Sequence, residues 1–146
     1  MCAYWSDIDR PLIWFLNSIG WGPSDRLDRA RITQLLDETV TQGSSIKWTV
    51  YYEDEKALDK TVEQLVADLD YLKKWFAWHK SWAHKDGKPI IFIWNESDCK
   101  VTSRWEDAAK TAGWYVVLKL FSNYENCNEQ WQPDSWHQYV SISLLT

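Results

Sequence analysis

Residues Ile90-Ile91-Phe92-Ile93-Trp94 form an apolar run without one polar interruption. A strand with a solvated face alternates polar and apolar side chains, so a run of this kind is expected only where both faces are buried. Residues 114–121 repeat the pattern, broken only by Lys119. Strands buried on both faces belong to sheets whose crossover helices cover them, and the rest of the chain has to supply those helices.

It does so in alternation. Residues 12–19 read as a short strand closed by Gly20-Trp21-Gly22-Pro23. Residues 27–40 place Ile32, Leu35, Leu36 and Val40 on one helical face, with Gly43 as a stop. A strand over 46–52 precedes a longer helix over 59–79, where Val62, Leu65, Val66, Leu69, Leu72 and Phe76 share a face. The turn Asp86-Gly87-Lys88-Pro89 delivers the chain into the apolar strand at 90–94, which Asn95-Glu96-Ser97-Asp98 closes. A third helix over 103–112 stops at Gly113, the strand over 114–121 follows, and after an irregular loop over 122–133 comes a strand over 136–142. The order β-α-β-α-β-α-β-loop-β predicts an α/β fold of parallel strands joined by right-handed crossovers.

Five such strands and three crossover helices are about half of an eight-fold (β/α) barrel, which usually takes about 250 residues. The expected architecture is therefore a partial (β/α) TIM-type barrel in one domain over residues 1–146, and the chain is expected to be a fragment of a longer protein. A half-barrel would expose open sheet edges, which makes completion by homodimerisation one alternative. An open doubly wound sheet fits the same order less well, because Gly20-Trp21-Gly22-Pro23 lacks the third glycine of its phosphate loop.

Composition narrows the function classes. A formal net charge of -5 speaks against the clustered Lys and Arg that nucleic-acid binding needs, so no nucleic-acid partner is expected. No run reaches the roughly 18 to 20 apolar residues of a membrane span, and no signal peptide opens the chain, so no membrane association is expected either. Three cysteines without a CxxC element argue against zinc, and neither a metal nor a cofactor is expected. Cys99 and Cys127 lie in polar loops after adjacent predicted strands, which makes them the expected disulfide, with Cys2 left free. Such a bridge implies a secreted or extracellular parent protein.

The run Ile46-Lys47-Trp48-Thr49-Val50-Tyr51-Tyr52-Glu53-Asp54-Glu55 ends abruptly in acid. Alternation places Ile46, Trp48, Val50 and Tyr52 on one face and Lys47, Thr49, Tyr51 and Glu53 on the other. In parallel sheets the C-terminal strand ends carry the chemistry, and a carboxylate beside two tyrosines suits a sugar. A solvated turn into the next helix is the plainer reading of the same acids. Twelve tryptophans exceed the needs of one core. Trp75, Trp78, Trp82 and Trp105 read as helix packing, whereas Trp21, Trp94 and Trp136 lie near strand ends beside Gly, Asn and His. Asn95 ends one strand. Lys119 shares a face with Tyr115, Val117 and Phe121 and points either into a barrel interior or outward between helices, the plainer reading being a stem along apolar surface with its amine in water. His137 has no metal-ligand spacing to His79 or His84 and reads as a hydrogen-bonding group.

Several segments, in order, carry a resemblance: Trp21-Gly22-Pro23 with Asp28 downstream, Lys47 through Glu55, Asp68-Leu69-Asp70-Tyr71-Leu72, Asp86 through Asn95, and Pro133-Asp134-Ser135-Trp136-His137-Gln138-Tyr139. Together they resemble the glycoside hydrolase family 99-like proteins, which include endo-α-mannosidases, and more distantly the family 71 α-1,3-glucanases. The resemblance implies a (β/α) barrel acting on α-linked glycans. It puts Glu53 in the sugar cleft as the candidate catalytic group, with Trp21, Tyr51, Tyr52, Glu55, Trp94, Asn95, Lys119, Trp136 and His137 as candidate substrate contacts. The family's principal carboxylates lie in a late Asn-Glu-Trp-x-Glu motif that this sequence does not contain. The expectation is therefore little or no glycosidase activity in the isolated chain, with a non-catalytic carbohydrate-binding module as the alternative.

Overall fold

The computed structural model describes residues 16–21, 29–53, 60–94, 99–120 and 123–137, the side chains of residues 16–20 and of Trp131 excepted. Among these residues the strands are β1 (Leu16–Trp21), β2 (Lys47–Tyr52), β3 (His84–Lys85), β4 (Lys88–Ile93), β5 (Tyr115–Lys119) and β6 (Ser135–His137). The helices are α1 (Arg29–Thr41), α2 (Val62–Leu72) and α3 (Cys99–Ala112). The sheet order is β1-β2-β4-β5-β6 with every neighbouring pair parallel, and β3 lies antiparallel on β4.

This order has no reversal, and that separates it from a doubly wound sheet, which changes direction at a switch point and carries helices on both faces. Here all three helices pack on one face. Ile32 and Leu36 of α1, Leu65, Leu69 and Leu72 of α2, and Trp105, Ala108 and Ala112 of α3 form one core with Val50, Tyr52, Ile91, Ile93, Val116 and Leu118 of the strands. The alternate strand residues Tyr51, Ile90, Phe92, Tyr115 and Val117 form a second cluster on the other face. That face is concave. β2 and β6 are separated by two strands, roughly 14 Å in a flat sheet, yet Tyr51 Oη and His137 Nε2 approach to 3.2 Å. The sheet is thus a partial (β/α) barrel wall, with helices outside and the second cluster inside.

Local chemistry explains where the elements stop. Thr61 caps α2 and shares a reciprocal capping box with Gln64. Gly113 takes a left-handed φ of 70° after α3, and Lys73 Nζ donates to the terminal carbonyl of Ala112 at 2.6 Å. Asp86 and Gly87 have φ of 51° and 77°, the paired positive values that a two-residue hairpin turn requires, and this joins β3 to β4.

Several boundaries differ from the sequence reading. The helix expected over 59–79 is α2 followed by a π-helical turn, Lys73–Ala77. α3 begins at Cys99 and not at 103, so Cys99 sits in a helix and not in a loop. Trp21 is the last residue of β1, paired with Tyr52, and not part of a turn. β6 starts at Ser135, and the rest of the strand expected over 136–142 lies outside the described residues, as do residues 12–15. Trp78, read as helix packing, is 69% exposed, and Trp82 belongs to no helix.

Trp82 instead lies in a wedge. β2 and β4 pair directly only at Tyr51↔Phe92 and Tyr52↔Ile93. Toward the strands' N-terminal ends the chain around Ala83 inserts between them: Ser81 O accepts from Trp48 N at 2.7 Å, Ala83 N donates to Trp48 O at 2.8 Å, and Ala83 O accepts from Ile90 N at 2.9 Å. Thr49 Oγ1 and Trp82 Nε1 both donate to Ile90 O, at 2.6 and 3.2 Å, so the splayed strands leave that carbonyl satisfied.

At the other end of β2, Tyr52 Oη donates to Asp68 Oδ2 at 2.7 Å and Lys60 Nζ reaches the same oxygen at 2.8 Å. Asp68 is buried, and both donors meet its carboxylate away from water. Asp68→Ala is expected to lower unfolding stability by about 3 kcal/mol, and Tyr52→Phe by about 1 kcal/mol, measured by urea denaturation.

Glu106 on α3 provides a pH-dependent test. Burial pushes its carboxyl above the ordinary glutamate range, with Lys110 at 3.1 Å partly opposing and the Asp134 carboxylate adding to the rise. The folded state then holds this proton more tightly than the unfolded chain, so stability falls as pH rises from the ordinary glutamate value through the raised one. Glu106→Gln is expected to raise the midpoint of thermal unfolding at pH 7, and the gain should vanish below the ordinary glutamate value.

Candidate functional site

The concave face carries a connected set of side chains at the C-terminal edge of the sheet. Alternation on β2 turns Tyr51 inward, and register places it opposite Phe92 on β4, with the two rings stacked at 6.5 Å. One pleat further, Trp94 follows β4 and tilts at 60° against Tyr51, ring centroids 6.0 Å apart. On β5 the inward residue at this level is Lys119, paired in register with His137 on β6. The His137 ring lies 5.4 Å from both Tyr51 and Phe92, edge-on to each. Lys119 Nζ sits 3.3 Å from the centroid of the Trp94 ring.

Tyr51, Phe92 and His137 are buried and make the floor, whereas Trp94 and Lys119 are half-buried and form its accessible part. A floor of aromatic rings carrying a phenol and an imidazole, under an indole and an ammonium, can stack an apolar ring face and hydrogen-bond hydroxyls at its rim. Glu53 follows β2 directly. Its N–H donates to Trp21 O at 3.0 Å, so the ladder continues past β2, and the residue is exposed.

The other candidates divide. Tyr52 is wholly buried among the helices, where it bonds Asp68. Trp21 is 1% exposed in the same helix-side core, stacked on Tyr71 at 6.1 Å. Trp136 packs against that core as well, with its Nε1 donating to Gln132 at 3.0 Å and its ring 5.0 Å from Tyr124. These three therefore do not share the concave face, because each is one residue out of phase with its inward neighbour. Glu55 and Asn95 lie outside the described residues. Lys119 is resolved between its two alternatives, since it shares the inward face of Tyr115 and Val117. Phe92, which joins Tyr51 to His137, was absent from the sequence-derived set, although its spacing of two from Trp94 carried the signal.

Cys99 and Cys127 are joined in a disulfide, with Cα atoms 5.2 Å apart. The bond ties the first turn of α3 to the loop that leads into β6. Among the described residues no group of three His, Cys, Asp or Glu side chains is arranged to hold a metal, and no helix is long and apolar enough to cross a membrane.

Comparison with solved structures gives the architecture a relative. The structure of a GH99 endo-α-mannosidase from Bacteroides thetaiotaomicron in complex with Bis-Tris-propane matches with a TM-score of 0.62 at 19% sequence identity, over 90% of this chain. The chain has a GH99-like fold. It spans 43% of the length of that mannosidase chain. No protein-family model and no curated protein sequence matches it.

The disulfide closes a loop with a sequence separation of 28. Cys99→Ser with Cys127→Ser is expected to cost about 3 kcal/mol in unfolding stability, measured against the oxidised parent. Peptide mapping of the parent without reductant should recover residues 99 and 127 in one linked species.

Proposed function

We propose that this chain contributes a glycan-binding wall to a glycoside hydrolase-like barrel that acts on α-linked glycans, α-mannan or α-glucan. The observation that carries the reading is the inward set at the C-terminal strand edge, where Tyr51, Trp94, Lys119 and His137 meet on one concave face. The GH99-like fold supports a carbohydrate substrate. In this reading the ligand approaches over Trp94, with Lys119 beside it, Tyr51 and His137 hold the floor, and Glu53 is the acid at the rim. The Cys99–Cys127 bridge supports a secreted parent protein, since such bonds persist in oxidising compartments.

A second reading, binding without turnover, is favoured by one feature. Glycoside hydrolysis generally takes two carboxyl groups on either side of the scissile bond. The five parallel strands carry no Asp or Glu within their described spans, and Glu53 directly follows β2. We therefore expect the isolated chain to bind and not to turn over.

The purified chain is to be incubated with α-1,2-mannan, α-1,3-glucan and their oligosaccharides, with binding followed by calorimetry and hydrolysis by reducing-end release. Saturable binding with negligible hydrolysis is the expected outcome. Hydrolysis by the parent that disappears in Glu53→Gln would make Glu53 catalytic and overturn the inactive reading. Absence of binding across the panel would overturn the glycan reading itself.

A further inference from the structure

The contact between Lys119 and Trp94 bears on which ligands the concave face accepts. Trp94 is held in place by Tyr51, whose ring tilts against it, while Tyr51 is in turn fixed by Phe92 and His137. The indole is thus a supported platform, and it is half-buried and not sealed in the core. At 3.3 Å from the ring centroid, the Lys119 ammonium occupies the volume that a sugar ring would need for stacking on the same face. Two groups cannot share that space.

We infer that Lys119 is a specificity-determining residue, a built-in occupant of the Trp94 stacking face with which a sugar must compete. The inference rests on the glycan reading above, and it adds that the site is self-occupied when no ligand is bound. A lysine suits this role because its ammonium sits on a flexible four-carbon stem, so the head can leave the ring without moving β5. The ring contact itself is of a size a stacked sugar can match, since a cation over an indole is worth only a few-fold to a few tens-fold in an equilibrium. Ligands that cover little of the indole gain too little to displace the ammonium, whereas a pyranose laid flat on the ring gains enough. Arginine would hold the face by stacking its planar guanidinium, and alanine would leave the face open.

The test uses two readouts on the full chain. The first needs no glycan: acrylamide quenching of the Trp94 contribution, taken as the difference between each variant and its Trp94→Phe counterpart. Lys119→Ala should raise the quenching of Trp94 and Lys119→Arg should leave it near the parent, with near-ultraviolet circular dichroism confirming the fold of each. Unchanged quenching in Lys119→Ala would overturn the inference. The second readout is the affinity for α-1,2-mannobiose and for the α-1,3-linked glucose disaccharide. Lys119→Ala should bind the preferred disaccharide roughly three- to thirtyfold more tightly than the parent. Equal or weaker binding would overturn the competition and make Lys119 a direct ligand contact. Raised quenching with no disaccharide bound by either protein would leave the self-occupied face standing and sink the glycan reading alone.

Discussion

One-sided helix packing is the constraint on which the rest of this structure depends. Strands β4 and β5 are apolar on both faces, so each face has to be covered, and the three helices are all spent on one of them. The opposite face can then escape water only by curling on itself. Curling turns the inward residues of β2, β4, β5 and β6 toward one another, and this is why Tyr51 and His137, with two strands between theirs, form a hydrogen bond. The bond is the consequence of the curl and a brace for it, because a buried phenol and a buried imidazole each satisfy the other.

The two ends of the wall are built differently. At the N-terminal end β2 and β4 splay, and the chain around Ala83 enters the gap with backbone bonds to Trp48 on one side and Ile90 on the other, so these peptide groups keep partners there. At the C-terminal end the strands close up and pair directly, which brings Tyr51 and Phe92 into contact and sets Trp94 beside Lys119. Outside the wall at that same end, Lys60 and Tyr52 converge on Asp68, and Arg104 donates to Lys60 O at 2.8 Å. A polar network fixes the outside of the β2 end while an aromatic cluster fixes the inside. The disulfide adds a covalent tie between α3 and the loop before β6.

Much of the fold was legible because it rests on periodicity. The helical spacing of Leu65, Leu69 and Leu72 and the unbroken run at Ile90–Trp94 are local signals, and both predicted the faces that the structure buries. The wedge was not legible. Ser81-Trp82-Ala83 is too short to show a period, and its place between β2 and β4 depends on how far those strands diverge. The extra strand β3 was hidden for the same reason, although Asp86-Gly87 announced the turn beside it.

The candidate site shows the same division. From the sequence alone, Tyr51 and Glu53 had to share a face, Lys119 had to lie with Tyr115 and Val117, and the strand ends had to carry the polar groups, because alternation along a strand is a property of the backbone. Trp21, Tyr52 and Trp136 looked equally suitable by residue type and position near a strand end. Only the tertiary structure separated them, by showing which of the two faces the helices cover. The meeting of Tyr51 with His137, 86 residues later in the chain, and of Trp94 with Lys119 was likewise decided by the curl of the sheet, since no local rule carries information about the side on which distant strands close.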